Sequence, residues 1–515
     1  MTAPLETGGP DWVRDAVFYQ IFPDRFASSV RVPKPGGLER WDAPPTENGF
    51  KGGDLLGIAE HLDELRELGI TALYLNPVFA SASNHRYHTY DYELVDPLLG
   101  GDAALRELLD AAHARGMRVI LDGVFNHASR GFWPFHHVLE NGASSPYRDW
   151  FHLEPEVLSG GRGLTAYPAV EAAGGDAKAR LGYKAWWDLP ALPTLNHSNA
   201  AVREYIYNVA ERWTRFGADG WRLDVPEEIT EAGFWEEFRR RVLAVNPEAY
   251  LVGELWNPAQ EWLSGRRFHA AMNYPLAEAI LSFTAAGRLD EALVARTHEY
   301  AQHVHGIDGP EFGRQLADVM ATYPPLVTSL QLNLLDSHDT PRFISLAGGD
   351  PTALRLATLI QMTLPGAPCI YYGDEVGLEG REDPDCRRAY PWDPVKQDLR
   401  LRDFIAGVIA LRHAHPVLRL GRFELLASQG SAVAYGMFAV EGSGGRSMAI
   451  AVNAGDVRVR LRLQLRDPAE GLARQVSWPG CEWGTTFASG SLERGTLEVE
   501  LEAREGVVME VVSAL

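Results

Sequence analysis

GADGWRLDVPEEI, from Gly217 to Ile229, is an apolar strand that ends on two opposite charges, Arg222 and Asp224. Alternate residues of a strand point to one face, so these two side chains project together. A guanidinium beside a carboxylate favours the ionised acid. Asp224 therefore reads as a carboxylate held charged, suited to a nucleophile or a cation stabiliser. Alone, such a pair is more often structural; the rest of the chain reverses that judgement.

Working outward, SNAAVREYIYNVAERWTRFG upstream and FWEEFRRRVLAVNP downstream carry apolar residues at helical spacing. The next strand, AYLVGELW, exits on Glu254. Nearer the start, AVFYQIFPDRF is a strand, and Asp54 caps the helix DLLGIAEHLDELRELG. ITALYLNPVF, the helix opened by Gly101-Asp102 and MRVILDGVFNH continue the alternation. A weaker strand near FHAAMNYPL, then TSLQLNLLDSHDTPR and GAPCIYYGDEVGL, bring the expected strands to eight, most followed by a helix. The pattern predicts an α/β fold, a (β/α)₈ TIM barrel.

Two stretches depart from that rhythm. Residues 128–197 have no strong period and many Gly, Pro and aromatic residues, which predicts a small functional subdomain inserted after the third strand. From residue 416 to the end, short alternating segments separated by turns predict an antiparallel β-sandwich. The expected domains are thus 1–127 and 198–415 for the barrel, 128–197 for the insertion and 416–515 for the sandwich.

A chain of 515 residues exceeds one ordinary core, and 46% hydrophobic with 23% charged residues is a globular composition. A net charge of −21 argues against nucleic acid and anionic membranes as partners and suits a neutral small-molecule substrate. Cys369, Cys386 and Cys481 form no disulfide framework, and MTAPLETGGPDW lacks the plan of a signal peptide, so a cytoplasmic location is expected.

Barrel enzymes carry their chemistry at the C-terminal ends of strands. Asp122, Asn126 and His127 fall at such an end, as do Arg222 and Asp224, Glu254, and His338 with Asp339. No HExxH spacing argues for a metal, and no glycine-rich lysine loop argues for phosphoryl transfer. Glycoside hydrolysis needs one ionised and one protonated carboxyl. Arg222 is expected to keep Asp224 ionised, while Asp224 and Asp339 raise the pKa of Glu254. Tyr87, Phe132, Trp133, Trp186, Trp187 and Trp256 lie in rim segments where flat rings stack on sugars; Trp221, inside a strand, is expected to be core.

These motifs together resemble the α-amylase family, glycoside hydrolase family 13, and within it the cyclomaltodextrinase, neopullulanase and maltogenic amylase branch. DGVFNH, GWRLDV, GELW and SHD match the motifs on strands three, four, five and seven, and LPTLN resembles the branch's short marker. The resemblance implies Asp224 as nucleophile, Glu254 as acid/base and Asp339 as the third carboxylate. It implies substrate contacts from Tyr87, Asp122, His127, Arg222, Glu228, Trp256, His338, Arg342, Asp383 and Arg387. It implies hydrolysis of α-1,4 bonds in cyclodextrins and short maltooligosaccharides, with an α-glucosidase or a 4-α-glucanotransferase on the same site as the alternative and a non-catalytic sugar binder as a third reading. Relatives begin with an extra β-sandwich that makes dimers, whereas here the barrel opens almost at once, so a monomer or a dimer built another way is expected. The calcium loop of relatives is matched by FASSVRVPKP, without a carboxylate although Gly52 and Asp54 remain, so no metal and no cofactor is expected.

Overall fold

The structure is a computed structural model describing residues 8–168, 177–440, 446–465, 471–481, 483, 489–492 and 495–513. Its centre is a parallel barrel of β1 (Phe18–Ile21), β2 (Ala72–Leu75), β3 (Arg118–Gly123), β4 (Gly220–Leu223), β5 (Tyr250–Gly253), β6 (Ala270–Ala271), β7 (Leu332–Leu334) and β8 (Ala367–Tyr371). The strands pair in the order β6-β5-β4-β3-β2-β1-β8-β7. A parallel bridge from Met272 to Leu332 spans the remaining seam. β6 holds only two residues, which is why FHAAMNYPL is the weakest strand signal.

Period-two alternation sorts the side chains. Phe18, Ala72, Tyr74, Ile120, Tyr250, Val252, Leu332 and Cys369 fill the interior. Tyr19, Leu73, Leu75, Val119, Leu121, Trp221 and Leu251 face the helices. Trp221 is 0% exposed, in the core as expected. The helices bury one stripe each. In α1 (Ala200–Phe216), Asn199 caps the start and Val202, Ile206, Val209, Ala210 and Trp213 turn inward. Gly217 ends α1 at φ 121°, a conformation that favours glycine. The next helix, α2 (Phe234–Val245), buries Phe234, Trp235, Phe238, Arg239 and Val242.

The insertion is tied to the rim it serves. His127 bridges Thr194, and Phe151 bridges Leu195. Leu195 N–H donates to the Asn126 carbonyl at 3.0 Å. Residues 169–176 lie outside the described residues. Phe132, expected at the rim, is fully buried against Tyr92 and Tyr205, so it supports the insertion rather than facing substrate.

The C-terminal region forms an antiparallel sheet of β9 (Arg422–Gln429), β10 (Ala432–Phe438), β11 (Ser447–Asn453), β13 (Gly471–Gln475), β14 (Ser489–Leu492) and β16 (Glu505–Ser513). The pair β12 (Val459–Gln464) and β15 (Thr496–Leu501) packs on it through Leu461, Leu463, Leu497, Val499 and Leu501. Among the described residues, no helix is long and apolar enough to cross a membrane.

Candidate active site

The site begins with a register. Asp122 on β3 pairs with Arg222 on β4, and both face the barrel interior. The Arg222 guanidinium is wholly buried. Its Nη1 lies 2.9 Å from Asp122 Oδ1 and 2.9 Å from Asp224 Oδ1. Its Nη2 lies 3.0 Å from Glu254 Oε2 and 4.0 Å from Asp339 Oδ2. The three carboxylates expected to act thus share one cation with Asp122.

That sharing changes the electrostatics foreseen for a private Arg222–Asp224 pair. Burial pushes Asp224 well above the ordinary carboxylate range, with Arg222 opposing and Glu254 adding to the rise. Asp122 is raised by burial against the pull of Arg222. Asp339, whose side chain keeps 31% exposure, is pushed up to about 7 by burial and the charge of Glu254. Four acids beside one guanidinium cannot all ionise cheaply.

Glu254 is positioned from two sides. Its Oε2 accepts the Val225 N–H at 3.0 Å, and its Oε1 accepts the Trp256 indole N–H at 3.3 Å. Val225 sits at φ 34°, a left-handed conformation costly for a β-branched residue. This strain, one residue after Asp224, aims the amide at Glu254. Trp256 lies flat on Tyr274, ring centroids 3.6 Å apart.

A proton-ordered chain runs along the opposite wall. Gln20 Nε2 donates to His338 Nδ1 at 3.0 Å, which leaves the imidazole proton on Nε2. That nitrogen is 2.5 Å from the Tyr87 hydroxyl and 3.2 Å from Asp339 Oδ2. Tyr87 in turn donates to Asp122 Oδ2 at 2.9 Å. Burial, with Arg387 next, holds His338 neutral. Arg387 reaches Asp383 at 2.9 Å and Asp339 at 3.6 Å, and its Nε donates to the His338 carbonyl at 2.9 Å. His127, pushed down to about 3 by burial, lies parallel to Trp186 at 6.0 Å, and Trp186 stacks on Trp187 at 5.5 Å.

Most of the expected residues therefore converge. Arg342 does not. It is fully buried between Tyr371 and Tyr372, with Nη1 on Asp374 at 2.9 Å and Nε on the Cys386 carbonyl at 3.0 Å, so it braces the β7 and β8 loops instead of meeting sugar. Glu228 remains exposed on the turn Pro226–Glu228. Sequence reasoning missed Gln20, Tyr74 and Asn76. Tyr74 donates to Asp122 Oδ2 at 2.8 Å, and Asn76 Nδ2 to the Tyr87 hydroxyl at 3.1 Å. Their signal was an inward position near a strand exit, as for Asp122. Among the described residues, no group of three or more His, Cys, Asp or Glu is arranged to hold a metal.

The family model "Alpha amylase, catalytic domain" matches residues 20–409. A cyclomaltodextrinase of Geobacillus thermopakistaniensis is 42% identical over 421 residues, 81% of this chain and 66% of its own length. The chain therefore spans about two thirds of that relative. The crystal structure of a Thermus thermophilus protein, Ttha1563, matches with TM-score 0.87 at 43% identity, over 97% of this chain and 100% of that one. An acarbose-soaked Nostoc punctiforme debranching enzyme matches with TM-score 0.82 at 41% identity, over 98% of this chain and 99% of its own.

Proposed function

The chain belongs to the α-amylase family of glycoside hydrolases, and from that premise we propose that it is a retaining hydrolase of short α-1,4-glucans and cyclodextrins. The observation that carries this reading is the single guanidinium whose two terminal nitrogens hold Asp224 and Glu254. Two carboxylates drawn to one guanidinium suit the close pair, roughly 5 Å apart, on which retaining enzymes rely.

In the first step Asp224 attacks the anomeric carbon while Glu254 gives its proton to the leaving oxygen. The sugar is then held on Asp224 as an ester. Glu254, now a carboxylate, takes a proton from water, which attacks the same carbon and frees Asp224. His338 Nε2–H and Asp339 serve as donor and acceptor for hydroxyls of the attacked sugar. Tyr87 offers a ring beneath it, and Asp383 with Arg387 grips the unit beyond. His127, Trp186 and Trp187 form the wall on the insertion side. Arg222 keeps the carboxylates together as protons move.

A second reading has support in the comparison. A match over nearly the whole of both chains is a debranching enzyme, which favours added action on branch points. Product profiles on β-cyclodextrin, maltotriose, pullulan and starch test both. Maltose and glucose from cyclodextrin support the first reading; preferential release from branched substrates supports the second. Linear transfer products from maltotriose without net hydrolysis would mean a transferase.

A further inference from the structure

Seven arginines are buried among the described residues, and six have a partner. Arg25, Arg86, Arg342 and Arg419 pair with Asp24, Asp96, Asp374 and Asp15 at 2.9, 2.9, 2.9 and 2.7 Å. Arg222 holds the catalytic carboxylates. Arg412 donates to the carbonyls of Met362 and Leu364 at 2.8 Å and of Gly366 at 2.5 Å.

Arg239, on α2, is the exception. It is 9% exposed, its Nη1 is sealed from solvent without a hydrogen bond, and no described carboxylate lies within 4.0 Å of it. The acids of its own helix are engaged elsewhere, Glu236 by Arg267 at 3.0 Å and Glu237 by Arg240 at 2.5 Å. An isolated buried charge is strongly unfavourable unless something of opposite sign meets it.

A second donor lies on the segment that packs on α2, where the Trp235 ring meets Phe268, the residue before His269, at 5.1 Å. His269, 6% exposed, feels the charge of Arg239, which adds to burial in keeping the ring neutral. His269 Nδ1 accepts the Leu251 N–H at 3.0 Å, so the ring proton sits on Nε2. His269 directly precedes β6, at the N-terminal end of the barrel, away from the rim that carries Asp224 and Glu254. Burial alone brings the Arg239 guanidinium down to about 10, which still leaves it charged at neutral pH.

We propose that Arg239, with His269 near it, forms a binding site for a small tetrahedral oxyanion of the phosphate or sulfate type on the N-terminal side of the barrel. The planar guanidinium donates in pairs to such an anion, and a neutral imidazole N–H adds one further donor without a competing acceptor. The site is independent of the reaction proposed above, since none of its residues touches the catalytic carboxylates.

The test is thermal melting of the full chain in phosphate, sulfate and chloride at matched ionic strength and neutral pH. Phosphate or sulfate at roughly 100 times its Kd should raise Tm by about 2 °C or more over chloride. In Arg239→Met the rise should vanish, while Tm in chloride should equal or exceed that of the parent, because an uncompensated charge has gone. Arg239→Lys keeps the charge without the fork and should retain a reduced response. No response of the parent, an equal response in Arg239→Met, or a clear fall of the Met variant in chloride would each overturn the proposal. The last would mean that the guanidinium is already satisfied within the fold.

Discussion

Arg222 divides one positive charge among Asp122, Asp224 and Glu254, each within 3.0 Å. A lysine there could not fork between them. Arg222→Lys should lower kcat by about 10²-fold or more, and stability by about 3–5 kcal/mol if a buried carboxylate is left unpaired. Kinetics on maltotriose and a urea melt check this; near-parental values would mean that the cluster needs only a point charge. Glu278 tests the pH side of the fold. It is pushed up to about 7 by burial, away from the carboxylates of the site. A carboxyl raised in the native state contributes stability fully present below its unfolded pKa and lost as pH rises through about 7. Glu278→Gln should therefore gain in Tm relative to the parent between pH 5 and 8, and a constant difference would contradict the assignment. Arg222 and Asp224 were legible because a strand's period of two is local. Gln20, Tyr74 and the strained Val225 were not, since their roles exist only once distant strands close the barrel. Arg342 misled because a polar residue beyond a strand exit reads the same whether it meets substrate or a buried acid.

At the scale of elements, two loops decide how the site is used. Trp187 and Asp188 sit at φ 48° and 57°, a conformation rare outside glycine, and Trp187 is left 74% exposed on Trp186. Strain that presents an exposed ring beside the site points to a contact with sugar. Trp187→Ala should leave Tm within about 1 °C, as expected of an exposed side chain. It should also lower the ratio of kcat/KM on cyclodextrin to that on starch, because the insertion loses its wall. An unchanged ratio would show that the ring does not select. The loop after β1 bears on calcium. Asp54 is engaged by the amides of Ser29 and Gly57 at 2.9 and 2.7 Å and by the ammonium of Lys34 at 2.8 Å. A cation that needs six to eight oxygens finds this carboxylate taken. EDTA should leave Tm unchanged; a drop reversed by calcium would refute that. The aromatic content of the insertion was plain in the sequence, but which rings face outward was not. Phe132 and Trp187 look alike as letters and differ entirely in burial.

For the whole molecule, the alternation of strands and helices predicted the barrel, and period two predicted the C-terminal sheet, because each element's apolar pattern must match its layer. The two-residue β6 was faint because its seam is closed through Met272 and the Asn273 amide, 2.8 Å from the Leu332 carbonyl, rather than by a long ladder. Barrel and insertion together bring Asp224 and Glu254 to one guanidinium, where double displacement is proposed. The most direct measurement is proton NMR of the first product released from β-cyclodextrin, by the parent and by Asp224→Asn and Glu254→Gln. The predicted result is the α-anomer appearing first from the parent and a loss of about 10²-fold or more in rate for each variant. The β-anomer appearing first, or either variant turning over at the parental rate, would contradict it.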